Sequence, residues 1–347
     1  MKRLAWTLIA LGLAAGCGSA DSPEASVASS TGGAGGSTSE GVGASAGATV
    51  GEGGAAQSGA STAGGAEPSH PAGGAPAAPP DYCSICALTT TSTVAQGAID
   101  EASGLAASHA HPGAYYVNND SGDLPRFFAV GSDGADLGVV SMPVTNVDYE
   151  DIAVAPCPAG SCVFVADIGD NDAVRASVAL YRLPEPAALG MMSATPDTLP
   201  FVYPDGPHNA ETLLVHPLTG EIVIVTKHKS GSSSFYRAPD GWAPGQLVTL
   251  ERAGTITPPE GSPRFTSGSV HPAGHGVLLR TYTHVFFYAA ATPDEPLATT
   301  LGRAPCALPV ADEAKGEGIS WTAAGDGYAT IGEGVPTYLH QASCHAK

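Results

Sequence analysis

Residues 211–227 read Glu211-Thr-Leu-Leu-Val-His-Pro217-Leu-Thr-Gly-Glu-Ile-Val-Ile-Val-Thr226-Lys227. An acid opens the stretch, a turn built on Pro217 and Gly220 follows, and the run Glu221–Thr226 is rich in β-branched residues. Branched side chains bounded by Pro and Gly are strand chemistry. The same order recurs along the chain. Glu101-Ala-Ser-Gly-Leu, Glu150-Asp-Ile-Ala-Val, Thr266-Ser-Gly-Ser-Val and Glu317-Gly-Ile-Ser-Trp open four further segments, spaced 49, 61, 55 and 51 residues from first position to first position.

Each opening is followed by a β-type run: Ala114–Asn118, Val163–Asp167, Gly276–Thr281 and Gly327–Ile331. A third run carries an aromatic residue (Phe127 and Phe128, Tyr181, Phe235 and Tyr236, Phe286 to Tyr288, Tyr338), and runs such as Leu137–Met142 and Gln246–Leu250 come before the next opening. Four short strands in a repeat of about fifty residues is the arithmetic of a β-propeller. The expected fold is therefore all-β, with four-stranded antiparallel blades over residues 81–347. Five repeats are visible, and a sixth blade is open if Leu88–Gln96 begins one.

Composition narrows the function. With 14 basic against 33 acidic side chains the formal charge is −19, which excludes a nucleic-acid binder, because phosphate binding needs a surplus of Lys and Arg. It also excludes adhesion to an anionic membrane surface through charge. With 45 Gly and 29 Pro there is little room for long helices.

The N-terminus reads as an export signal. Lys2 and Arg3 precede a short apolar run that ends Leu13-Ala14-Ala15-Gly16-Cys17. That ending resembles the lipobox of bacterial lipoproteins, with Ala14 where Leu is usual. The resemblance implies cleavage after residue 16, acylation of Cys17 and, with Gly18 rather than Asp next, an outer-membrane address. Residues 17–80 are almost wholly Ala, Gly, Ser, Thr and Pro. Such a segment cannot offset its conformational entropy by burial and is expected to be a disordered tether, roughly 40–48 Å end to end. Gly43-Ala-Ser45-Ala-Gly47 matches a nucleophile pattern, but inside this tract no strand-to-helix elbow exposes Ser45.

Beyond Cys17 there are Cys83, Cys86, Cys157, Cys162, Cys306 and Cys344. An even count in an exported chain points to three disulfides. Cys157 and Cys162 can close a turn between two strands. The other four either staple the two ends of the domain together or pair locally.

Glu101-Ala-Ser-Gly-Leu with Asn118-Asn-Asp-Ser-Gly-Asp123, Tyr149-Glu-Asp-Ile-Ala with Ala166-Asp-Ile-Gly-Asp-Asn171, and Ala210-Glu-Thr-Leu with Pro217–Lys227 resemble an exported bacterial propeller family of largely unassigned function. That family is distantly similar to phytase-like and other calcium-assisted propellers.

In a propeller the connection into the first strand and the one leaving the second emerge on the same face. The first connection places Glu101, Glu150, Asp151, Glu211 and Glu317 there, and the second places Asp120, Asp123, Asp167, Asp170, Asp172, Lys227, His228, Arg280, Tyr282 and Glu333. A ring so rich in carboxylates calls for ion pairs or a bound cation, and hard oxygen ligands suit Ca²⁺ better than zinc. Glu101, Glu150, Asp151, Asp167, Asp170, Asp172, Glu211 and Glu317 are the candidate metal ligands. Asp120, Asp123, Lys227, His228, Arg280 and Tyr282 are the candidate ligand-binding groups. The same acids can equally brace neighbouring blades, and Asp-Gly and Asn-Asp steps are ordinary turn chemistry. His109, His111, His216 and His271 fall in turns on the opposite face and read as solvated.

Two functions are expected from this pattern. The first is a monomeric, membrane-tethered module that binds a small molecule or an envelope protein. The alternative is a calcium-dependent phosphatase-like or esterase-like hydrolase, for which Lys227, His228 and Arg280 would clamp phosphate.

Overall fold

The computed structural model describes residues 79–229 and 231–345. The export signal, Cys17 and all but the last two residues of the expected tether lie outside them. No helix among the described residues is long and apolar enough to cross a membrane.

Five small sheets form the blades of a closed propeller. Blade I is built from Ala102–Ala107, Ala114–Asn119, Arg126–Gly131 and Asp136–Ser141; blade II from Tyr149–Cys157, Gly160–Asp167, Val178–Pro184 and Asp197–Val202. Blade III comprises Ala210–Val215, Ile222–Thr226, Ser233–Arg237 and Glu251–Ile256, and blade IV comprises Phe265–Val270, Gly276–Thr281, Val285–Ala289 and Cys306–Leu308. Blade V takes Gly316–Trp321, Gly327–Gly332 and Tyr338–Cys344 from the end of the domain, and its outer strand, Cys86–Thr93, from the beginning. The segment that could have opened a sixth blade thus closes the fifth. Closure buries the two apolar sheet faces that a linear array of blades would leave exposed at its ends.

The run Ile222-Val223-Ile224-Val225 explains why the blades stack. Ile222 and Ile224 belong to the apolar layer shared with blade II, whereas Val223 and Val225 belong to the layer shared with blade IV. A strand whose side chains alternate between two buried layers must be apolar at every position, because successive residues point to opposite faces. Five such layers separate the blades, one at each seam. Truncating a buried member such as Leu214 to Ala is expected to cost about 2–5 kcal/mol.

Outer connections lace blades II, III and IV each to the preceding one. Met191–Ser193 leaves blade II to add a parallel edge to blade I, and Val248–Thr249 leaves blade III to do the same for blade II. The run expected at Gln246–Leu250 is therefore this lace, while blade III's own outer strand lies later, at Glu251–Ile256. The short helix Leu297–Leu301 leaves blade IV and buries Leu297 and Leu301 in the layer shared by blades III and IV.

All three disulfides form. Cys157 bonds Cys162 across the expected turn. Cys83–Cys306 and Cys86–Cys344 staple the helical turn Tyr82–Ile85 and the first residue of the N-terminal strand to blades IV and V, so the end-to-end alternative is the one realised.

Candidate functional site

The first strand of every blade carries one extra residue against its neighbour, and the five extras are Ser103, Glu150, Glu211, Thr266 and Glu317. A bulge bends the strand and re-aims its side chains, a device found beside functional sites. The pairing registers also define two equivalent positions. Two residues before each bulge stand Glu101, Asp148, Asn209, Arg264 and Lys315; directly after the second strand come Asp120, Ile168, Lys227, Tyr282 and Glu333. In blades I, III and V the backbone N–H of the latter donates to the carbonyl of the former.

This register corrects the alignment of the first repeat by two positions. Ser103, not Glu101, is the counterpart of Glu150; Glu101 corresponds to Asp148 and its side chain is exposed. Acid-to-acid spacing does not carry over to the first repeat because blade I places a hydroxyl where three other blades have a carboxylate.

One residue below the bulges Asp151 crosses the axis, and beneath it a cavity lined by the first strands of all five blades runs toward the opposite face. Asp151 is fully buried and accepts hydrogen bonds from the N–H of Ile152 at 3.0 Å, the N–H of Leu213 at 2.8 Å and the hydroxyl of Ser267 at 3.0 Å. Burial pushes its carboxyl up, against these donors, which hold it down. Its neighbours at the same level are Gly104, Thr212, Ser267 and Gly318, all small. A Cβ on Gly104 would lie 2.6 Å from the nitrogen of Ile152, and one on Gly318 would lie 3.0 Å from the carbonyl carbon of Gly104. Asp151 is thus the floor of the mouth and its lone pairs are taken by protein donors.

Above this floor the charge is divided. On blades III to V, Lys227 bonds the carboxylate of Glu211, and Lys315 bonds Glu333 and sits 3.3 Å from Glu317. Lys227, Arg264 and Lys315 surround the ring of Tyr282, at 5.0, 5.8 and 5.8 Å from its centroid. Burial lifts Glu211 to about 8 although Lys227 opposes the shift, and lifts Glu317 to about 7 against the pull of Lys227 and Lys315.

On blades I and II the lining is acidic. Carboxylate oxygens of Asp120, Asp148 and Glu150 lie within 4.8 Å of one another. Burial first, and then Asp120 beside it, push Asp148 to about 6. Burial followed by Glu211 pushes Glu150 well above the usual carboxylate range. Glu150 Oε2 accepts a 3.4 Å hydrogen bond from Ser103, whereas Oε1 has no hydrogen-bond partner among the described residues.

The remaining candidates are placed elsewhere. Asp123 forms a bidentate pair with Arg126. Asp167 pairs with Arg175 at 2.8 Å, and Asp170 caps the turn by accepting from the N–H groups of Val174 and Arg175. Asp172 and His228 are exposed. Arg280 is fully buried between blades IV and V, bonded to Glu313 and to the carbonyl of Gly318. It is therefore a brace and not part of the mouth surface. Asp148, Ser103 and Lys315 belong to the mouth and were not singled out from sequence; Asp148-Tyr-Glu-Asp151 held the signal for the first.

On the opposite face His216 and His271 are buried, not solvated. Each Nδ1 accepts a turn N–H, from Leu218 and Ala273 respectively. Tyr82 reaches His271 at 2.8 Å and His275 at 3.1 Å, pinning the N-terminal segment to this face. No protein-family model and no curated protein matches the chain.

Proposed function

We propose that this chain is a lipid-tethered, extracytoplasmic propeller that binds a small molecule or an envelope partner at the mouth of its axis. The observation that carries this reading is the polarised cup: acids on blades I and II, cations around Tyr282 on blades III to V, all held at strand ends above the Asp151 floor. Rigid elements position polar groups more accurately than loops do, which is what a binding face requires. Three disulfides support an oxidising compartment.

The hydrolase alternative needs free cations to clamp a phosphoryl group. Lys227 and Lys315 are engaged by carboxylates and Arg280 is buried, which leaves Arg264, ion-paired with no carboxylate among the described residues, and the exposed His228 as a thin clamp. This weighs for binding over catalysis.

The test places a photo-crosslinking residue at Asp172 on the mouth face and, separately, at Ala324 on the opposite face, in intact envelopes. Adducts only from the mouth position are expected; equal labelling from both, or none, would overturn the reading. Calcium-dependent turnover of p-nitrophenyl phosphate, lost in Glu150→Gln, would establish the hydrolase instead. Cys17→Ser is expected to move the chain from the membrane to the soluble fraction.

A further inference from the structure

We infer that Asp120, Asp148 and Glu150 form a binding site for a divalent, oxygen-preferring cation of the calcium class at the seam of blades I and II. The inference deepens the binding reading by naming one species the mouth takes, and it rests on the mouth being the functional face.

A comparison among the blades carries it. Three of the five bulge residues are glutamates, each 2–3% exposed. Glu211 is neutralised by Lys227, at the position directly after the second strand of its blade. Glu317 shares the ammonium of Lys315, two residues before its bulge, with Glu333, and its Oε2 has no hydrogen-bond partner among the described residues. In blade II those two positions hold Ile168 and Asp148, an apolar side chain and a second acid. So the chain supplies an ammonium to two of its bulge glutamates and a further carboxylate to the third.

The buried geometry points the same way. Glu150 Oε1 and Asp148 Oδ1 have no hydrogen-bond partner among the described residues, although both side chains are more than nine-tenths buried. Burying a carboxylate without a partner is costly, and a cation shared between acids removes that cost. The two groups converge: a Cβ on Gly169 would lie 2.4 Å from both Glu150 Oε1 and Asp148 Oδ2. Glycine at 169 leaves these oxygens their space. Asp120 closes the third side and is the only one of the three within reach of solvent.

The donors are all oxygens, which selects hard cations over zinc or copper. Three carboxylates also offer more charge than a single ammonium ligand would neutralise.

The experiment is calorimetric titration of the full-length chain in detergent with CaCl₂, beside thermal unfolding with and without the ion. Saturable binding and a raised Tm are expected. Asp120→Asn, at the partly exposed position, should keep the fold and weaken binding at least about tenfold, a change of about 1.4 kcal/mol. Glu150→Gln should abolish binding while leaving the ion-free protein at least as stable. No heat and no Tm shift up to about 10 mM, beyond the weakest class of extracellular calcium sites, would overturn the inference and assign Glu150 a proton instead. Binding unaltered by either substitution would also overturn it, by locating the ion elsewhere. Mouth-specific crosslinking without a calcium response would leave the binding reading intact and remove only the cation.

Discussion

Asp151 on blade II accepts a 3.0 Å hydrogen bond from the hydroxyl of Ser267 on blade IV, two blades away across the axis. Ser267 in turn accepts the N–H of Ile319 on blade V at 3.2 Å, and Asp151 takes that of Leu213 on blade III at 2.8 Å. One carboxylate therefore links four blades. Asp151→Ala would leave the N–H groups of Leu213 and Ile152 without their acceptor, each costing about 1–3 kcal/mol. The expected Tm loss is about 5–15 °C for a domain of this size, with a smaller loss for Asp151→Asn, which keeps one acceptor. An alanine variant melting within a degree of the parent would show that the floor is not a brace.

Lys227 and Glu211 form a mostly buried pair. Lys227→Met is expected to destabilise by about 3 kcal/mol, because the carboxyl it leaves is 3% exposed. Adding Glu211→Gln should restore at least half of that loss. Additive effects in a denaturation double-mutant cycle would mean that the two groups do not interact.

Acid should act through His271, stacked on His275 and packed against Tyr82 and Trp321. Burial holds its imidazole at about 4, below the ordinary 6.5. Between those values the unfolded chain takes up a proton that folded His271 does not, so stability falls as pH drops from 6.5 toward 4, by up to about 3 kcal/mol. Above pH 6.5 the effect vanishes. Tm measured from pH 7 to 4 should decline less steeply in His271→Gln; parallel declines would remove His271 as a source.

The disulfides should contribute unequally. Cys157–Cys162 spans 5 residues, whereas Cys86–Cys344 spans 258 and Cys83–Cys306 spans 223. Chain entropy assigns about 2 kcal/mol to the first and about 5 kcal/mol to the first-formed of the long ones. Cys157→Ser with Cys162→Ser should lower urea-derived stability modestly. Removing both long bridges should release Cys86–Thr93 and raise its amide exchange ahead of the other blades; uniform exchange would argue against that strand as the closing clasp.

The sequence alone determined the all-β class, the recurring strand order and the glutamates at 150, 211 and 317 that open three of the repeats. These are local properties: strand chemistry and turn residues are written within a few positions of one another. The tertiary structure decided the rest. Whether Leu88 and its neighbours open a sixth blade or close the fifth depends on pairing with Tyr338–Cys344, and the cysteine partners follow from that closure. The bulge that makes Ser103 the equivalent of Glu150 is a register, visible only against the adjoining strand. Asp151 and Glu150 are adjacent in the chain, yet one is satisfied by donors from blades III and IV and the other is left with an unpartnered oxygen. The difference lies in which strands the closed ring carries to each carboxylate, since Coulomb and hydrogen-bond partners are chosen by distance in space and not along the chain.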